Sequence, residues 1–268
     1  MKKMIVWAQC ALLAAVGLAT DYEWVGGTDL DWTTSANWNP STGYPNGASD
    51  VAKFKVSPSG TVVVSSDITV LQVIADAATV TIGGTGSLMT PNATSAFYAS
   101  NGAVLSFEVP LRGSNRVNIS GTGSIVFDSA IANTMDSANS CCYIYALTNV
   151  FGAQANVTTK SPICFGLGAQ SYVSRSFIRD GAVLAVHDLY FAAGSSSCSE
   201  TRVVQEGGSV TTAGTFDLNK TGTAAKQYYT IDGGALTSTT FCVSSASGGG
   251  EFSGRVEGRG GFRLHGDE

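Results

Sequence analysis

Three stretches decide the fold: residues 179–194 (RDGAVLAVHDLYFAAG), 205–221 (QEGGSVTTAGTFDLNKT) and 231–245 (IDGGALTSTTFCVSS). Each opens on a polar residue followed by glycine, and Gly181, Gly207 and Gly233 recur at a step of 26. A short alternating run follows the glycine, then a second run (HDLYFAA, GTFDLNK, TTFCVSS). A third run, TRVVQ or KQYYTI, leads into the next glycine. Alternating Val, Leu, Phe, Tyr and Thr suits strands with one buried face, and Asp-Gly or Glu-Gly supplies corners that tolerate positive φ. The unit is therefore three short strands and three turns. Such a coil cannot bury its own inner face, but a stack of them at about 4.8 Å can.

Working toward the N-terminus, SNGAVLSFEVPLRG from Ser100 and GTGSIVFDSA from Gly121 repeat the phrase at a looser interval, and GGTGSLM from Gly83 is a degenerate copy. No segment beyond the first 19 residues keeps a helical period. The expectation is an all-β chain of stacked parallel coils over residues 51–268. An antiparallel β-sandwich is the alternative, because the strand spacing also fits short hairpins. The alignment predicts Val183, Val210 and Leu236 inward, with Leu184 and Leu189 as further inward candidates.

Residues 24–54, WVGGTDLDWTTSANWNPSTGYPNGASDVAKF, hold Trp24, Trp32 and Trp38, three of four tryptophans. A solenoid exposes backbone and core at its ends, and large rings at irregular spacing cover such an end as repeating residues cannot. Residues 20–50 are read as an N-terminal aromatic cap, with Trp24 and Trp38 buried and Trp32, flanked by Asp31 and Thr33, partly exposed. A sugar-stacking platform is the competing use of the same rings.

Met1-Lys-Lys-Met followed by IVWAQCALLAAVGLA reads as a secretory leader cleaved after Ala19, too short for a comfortable membrane span. Its loss takes Lys2 and Lys3 and moves the formal charge from −5 to −7. The acidic balance excludes an electrostatic nucleic-acid surface. RVEGRGGFRLHG at the end reads as solvated strand edge, and no later apolar run provides an anchor. The implied location is exported: extracellular or at the cell surface. Export permits disulfides, but Cys141, Cys142, Cys164, Cys198 and Cys242 are odd in number and lack zinc-site spacing.

The opening segment carries a resemblance. Trp24-Val-Gly-Gly, Asp31-Trp32-Thr-Thr-Ser-Ala-Asn37-Trp38, Pro45 and Asp50-Val-Ala-Lys-Phe54 resemble the start of large exported bacterial proteins with autotransporter-associated β-strand repeats. Gly207-Gly208-Ser-Val and Gly233-Gly234-Ala-Leu-Thr resemble their internal repeats. The resemblance implies a right-handed parallel β-helix without assigned activity. The sorting tail and membrane barrel of such proteins are missing, so the repeat domain reads as incomplete at its C-terminus.

Catalytic constellations are sparse. His187 and Asp188 lie beside Asp180, but adjacent residues in a strand face opposite ways, and the aligned repeats carry no matching acid or base. Ser174, Arg175 and Ser176 make no triad, and no G-x-S-x-G elbow occurs. The glycine-rich stretches lack a lysine and a following helix to hold phosphate. No catalytic residue, metal or cofactor is assigned. The expected function is a non-enzymatic, adhesin-like surface scaffold. A carbohydrate-binding module is the second reading, with Trp32, Tyr190 and Tyr228 as candidate glycan contacts to a cell-surface or matrix polysaccharide. A polysaccharide lyase or hydrolase is the third. Tyr143, Tyr145 and Tyr229 are further candidate solvent-facing rings.

Overall fold

A computed structural model of the chain describes residues 19–27, 29–91, 93–113, 117–133, 142–166, 172–191, 200–218, 226–242 and 250–254. Residues 1–18, Cys141, Cys198 and residues 255–268 lie outside these residues, and with them most of the expected leader and the basic C-terminal stretch. The described chain is an all-β solenoid of stacked parallel coils, its one helical turn being Ser35–Asn37. All pairings but one are parallel, the exception lying in the cap, so the sandwich alternative is set aside.

Each coil visits three faces. The first begins with Val51–Phe54, Gln72–Asp76 and Ala93–Ser100 and continues to Leu189–Phe191. The second is nine strands deep, from Val62–Val63 to Gly250–Gly254. The third stacks Ile68–Thr69, Leu88–Thr90, Leu111–Gly113, Ala130–Asn133, Asn156–Thr159 and Val183–Val186. Ser209–Asp217 and Ala235–Cys242 each run along the third face, slip register at the corner and finish on the first.

The 26-residue step is real but local. Val183 pairs with Ser209 and Ser209 with Ala235, whereas Val104 pairs with Ser124, only 20 residues on. The early copies also fall elsewhere. NGAVLSF and GTGSIVF build the second face, while the three late copies build the third. Glycine marks a corner without saying which one. At Gly208, φ is +67° and an added Cβ would lie 2.3 Å from the Ala182 carbonyl oxygen. That corner admits only glycine.

Inside, identical positions stack into columns. Ile68, Leu88, Leu111, Ile131, Val157, Leu184, Val210 and Leu236 form one column down the third face. Phe107, Phe127 and Phe151 stack down the second, with ring centroids 5.9 and 5.5 Å apart. Val183 is a correction: it is 39% exposed, in the outward column with Ser209, while Leu184 is fully buried and in register with Val210. Twenty-six residues from Val183 lands on Ser209, and a slip of one residue reverses every side chain. Leu189 is buried as expected, and Leu236 is half-buried. Leu184→Ala should therefore cost about 2–5 kcal/mol. Val183→Ala should stay within about 0.5 kcal/mol, as surface substitutions do. Chemical denaturation of the two variants checks the register, and equal losses would contradict it.

The cap closes all three faces at the N-terminal end. Asp21–Trp24 lies parallel on Val51–Phe54 and antiparallel to Trp38–Asn39. The Val63 backbone N–H donates to Leu30 O (2.8 Å), and Trp32 N–H donates to Val63 O (2.9 Å), covering the second face. On the third, Thr69 N–H donates to Asn46 Oδ1 at 3.0 Å. Edge donors and acceptors that would otherwise invite another strand are thus engaged.

Candidate functional site

The tryptophans belong to the cap's interior. Trp24, Trp32 and Trp38 are at most 1% exposed and surround Phe54, with Trp38 4.9 Å from Trp32 and 5.1 Å from Trp24 between ring centroids. Partial exposure of Trp32 is therefore corrected, and its ring offers no face to a glycan. Its Nε1 donates to Pro45 O (2.9 Å), and its polar flanks satisfy each other, Thr33 donating to Asp31 Oδ1 through N and Oγ1 at 2.7 Å. Asn37, also buried, ties the turn together. Its Nδ2 donates to Asp29 Oδ1 and Asp31 O (both 2.8 Å), and its Oδ1 accepts from Gly27 N. The amide of Asn37, with the Asp31 N–H and Thr34 hydroxyl, holds the Asp29 carboxyl below the usual range.

His187 and Asp188 meet, contrary to the strand-based expectation. They sit at the corner between Val183–Val186 and Leu189–Phe191, where alternation does not apply, with Nδ1 and Oδ2 2.7 Å apart. Asp188 Oδ1 accepts from Thr215 N at 2.6 Å on the next coil, while Asp188 O accepts from Ile163 N on the preceding one. Burial works to raise the Asp188 carboxyl, but the hydrogen bonds from Thr215 N–H, His187 and Tyr190 outweigh it and hold the group below its ordinary value. The imidazole is oriented and its side chain is 55% exposed. Among the described residues no hydroxyl or thiol bonds its other nitrogen, and Asp188 ties this corner to the coils on either side.

The sign of its pH effect follows. A carboxyl depressed on folding contributes stability above its unfolded pKa and loses it as pH falls through the folded value. The stability gap between the parent and Asp188→Asn should therefore be widest at neutral pH. It should narrow below about pH 4. Denaturant midpoints across pH 2–7 would check this, and a constant gap would contradict it.

The other candidate rings divide. Tyr229 is fully buried; burial pushes its phenol up, and the hydroxyl donates to Gln205 Oε1 at 2.8 Å. Tyr143, Tyr145 and Tyr190 are half-buried. Tyr190 shares its outward column on the first face with Cys164, and its hydroxyl is engaged at Asp188. Cys142 faces inward and Cys164 outward on neighbouring strands, and both are buried.

Tyr228 lies in the feature that composition did not reveal. On the outer side of the second face, Arg175, Arg202 and Tyr228 occupy one column on three successive strands. Beside them runs an apolar column of Val126, Val150, Phe177 and Val204, each half-buried. The Arg202 guanidinium sits 4.5 Å above the Tyr228 ring, and Arg179 lies 5.2 Å from the Phe177 ring. Arg202 pairs with Glu200 and Arg179 with Glu206. Arg175 and Lys226 are exposed and pair with no carboxylate among the described residues. Extending the repeat alignment to its third run, so that SRSFIRD, TRVVQEG and QYYTIDG coincide, finds this column in the sequence. Among the described residues no group of three or more His, Cys, Asp or Glu could hold a metal ion, and no helix is long and apolar enough to cross a membrane. No family model, curated protein or solved structure matches the chain.

Proposed function

We propose that the chain is an exported, non-enzymatic surface scaffold of the kind its opening segment resembles, presenting the outer faces of its stack as an adhesive surface. The observation that carries this reading is the division of labour between the two sides of each strand. Inward positions are given to packing columns and the cap to sealing the end. Outward positions on the third face carry small residues such as Ala185, Ser209, Thr211, Ala235 and Thr237. A rigid rod with regular outer columns suits contact with an extended partner, because its geometry is fixed before binding.

The test is expression of the full chain, leader included, in a bacterial host, followed by mass spectrometry of the product and protease shaving of intact cells. A mature N-terminus at Thr20, with protein shaved from the surface or recovered outside the cells, is the expected result. Full-length protein starting at Met1 and confined to the cytosol would overturn the proposal.

A further inference from the structure

We infer that the outer side of the second face, over the strands Val173–Ile178, Glu200–Gln205 and Lys226–Ile231, binds an extended polysaccharide bearing carboxylates, of the uronic-acid class. The argument begins with charge. Arg175 and Arg202 stand in register on adjacent strands, about 4.8 Å apart along the stack. Like charges opposite one another are unfavourable on a sheet. Arg202 is compensated by Glu200, and Arg175 is not. Of the outward cations on these strands, Arg202 pairs with Glu200 and Arg179 with Glu206, while Arg175 and Lys226 are exposed and pair with no carboxylate among the described residues. Two uncompensated cations thus stand on this face of a chain whose formal charge is −5.

Shape supplies the second half. The cationic column runs beside the apolar column of Val150, Phe177 and Val204, and both follow the axis of the stack. A pyranose has a hydrophobic C–H face and, in a uronic acid, a carboxylate on its edge. Laid along the axis, such a polymer places its C–H faces on Phe177, Val204 and the Tyr228 ring while its carboxylates reach Arg175 and Arg202. Guanidinium pairs with carboxylate in a bidentate fork, which gives direction as well as attraction. A neutral glycan would leave Arg175 unanswered.

The inference rests on the proposed use of the outer faces for adhesion. It is tested separately, because display of the protein at the surface does not depend on ligand. The experiment is affinity electrophoresis of the purified protein through gels containing polygalacturonate, neutral dextran or inorganic polyphosphate. The expected result is retardation by polygalacturonate alone, lost at high salt because the contacts are charged. The double variant Arg175→Gln/Arg202→Gln should bind about tenfold or more weakly with an unchanged melting point. Tyr228→Ala should weaken binding to a smaller extent, and Thr211→Gln on the third face should bind as the parent does. No retardation by polygalacturonate, undiminished retardation of the double variant, or equal retardation by polyphosphate would each overturn the inference. The last would show a response to charge without recognition of sugar.

Discussion

Replacing Trp38 with alanine should destabilise the protein by about 3–5 kcal/mol, toward the top of the range for aromatic truncation. Trp38 is the hub of the cap. Its ring meets Trp24, Trp32, Phe54 and Tyr22 with centroids at 4.9–6.5 Å, and its Nε1 donates to Trp32 O at 2.7 Å. Truncation leaves a cavity among rings anchored to separate elements, and it orphans a buried carbonyl. The loss should appear as an earlier thermal transition together with loss of amide protection at Val51, Val63 and Thr69, the three places where the cap covers the first coil. Trp24 provides an internal contrast. Its indole N–H is buried without a partner, so Trp24→Phe gives up ring volume but removes an unsatisfied donor. It should cost less than Trp38→Phe. Melting of Trp38→Ala at the parental temperature would mean that the segment is no cap.

Phe127→Ala should cost a similar amount, about 3–5 kcal/mol, for a different reason. The ring lies 5.9 Å from Phe107 and 5.5 Å from Phe151, nearly parallel to both, and 6.5 Å from Phe97. It also lines an apolar pocket of about 30 Å³ shared with Leu111, Ile131 and Ile144. The truncation would enlarge that pocket into the ring stack. In a stack, stability is close to a sum of coil and neighbour terms, so weakening one interface can uncouple the halves on either side. The expected melt is broadened or biphasic, with the coils before and after Phe127 losing signal at different temperatures. A single sharp transition at the parental midpoint would contradict this packing.

What was legible in the sequence was the unit and its repetition. A corner with a polar residue and glycine every 26 residues, with three alternating runs between, can bury its inner face only by stacking, and Val183, Ser209 and Ala235 stack in register at that step. What was not legible was every feature set by one residue or by a neighbour distant in sequence. Aligning valine on valine turns Val183 inward, whereas the 26-residue step puts it in the outward column with Ser209. Trp32 was expected near solvent from its polar flanks, yet Asp31 and Thr33 spend their polarity on each other and leave the ring free to pack. His187 and Asp188 were treated as strand residues, but a corner brings adjacent side chains together. The buried amide of Gln205 follows Phe127, Phe151 and Ile178 in one column, and that of Asn149 follows Leu105 and Ile125 in another. Their partners, Ser176 Oγ for Asn149 and Tyr229 for Gln205, lie 24–27 residues away. The outer patch is legible only once the third run joins the repeat alignment, because its members belong to different strands and become neighbours only in the stack.

The claim on which all else depends is the in-register parallel stack, since both the cap and the outer columns are its consequences. The most direct measurement is nuclear Overhauser contact between methyl groups in protein labelled at Leu and Val. The stack predicts contacts from Leu184 to Val157 and Val210, and from Val210 to Leu236, all residues 26 or 27 apart. Methyl contacts from Leu184 to residues of the strand next in sequence, in antiparallel order and with none to Val157 or Val210, would contradict it.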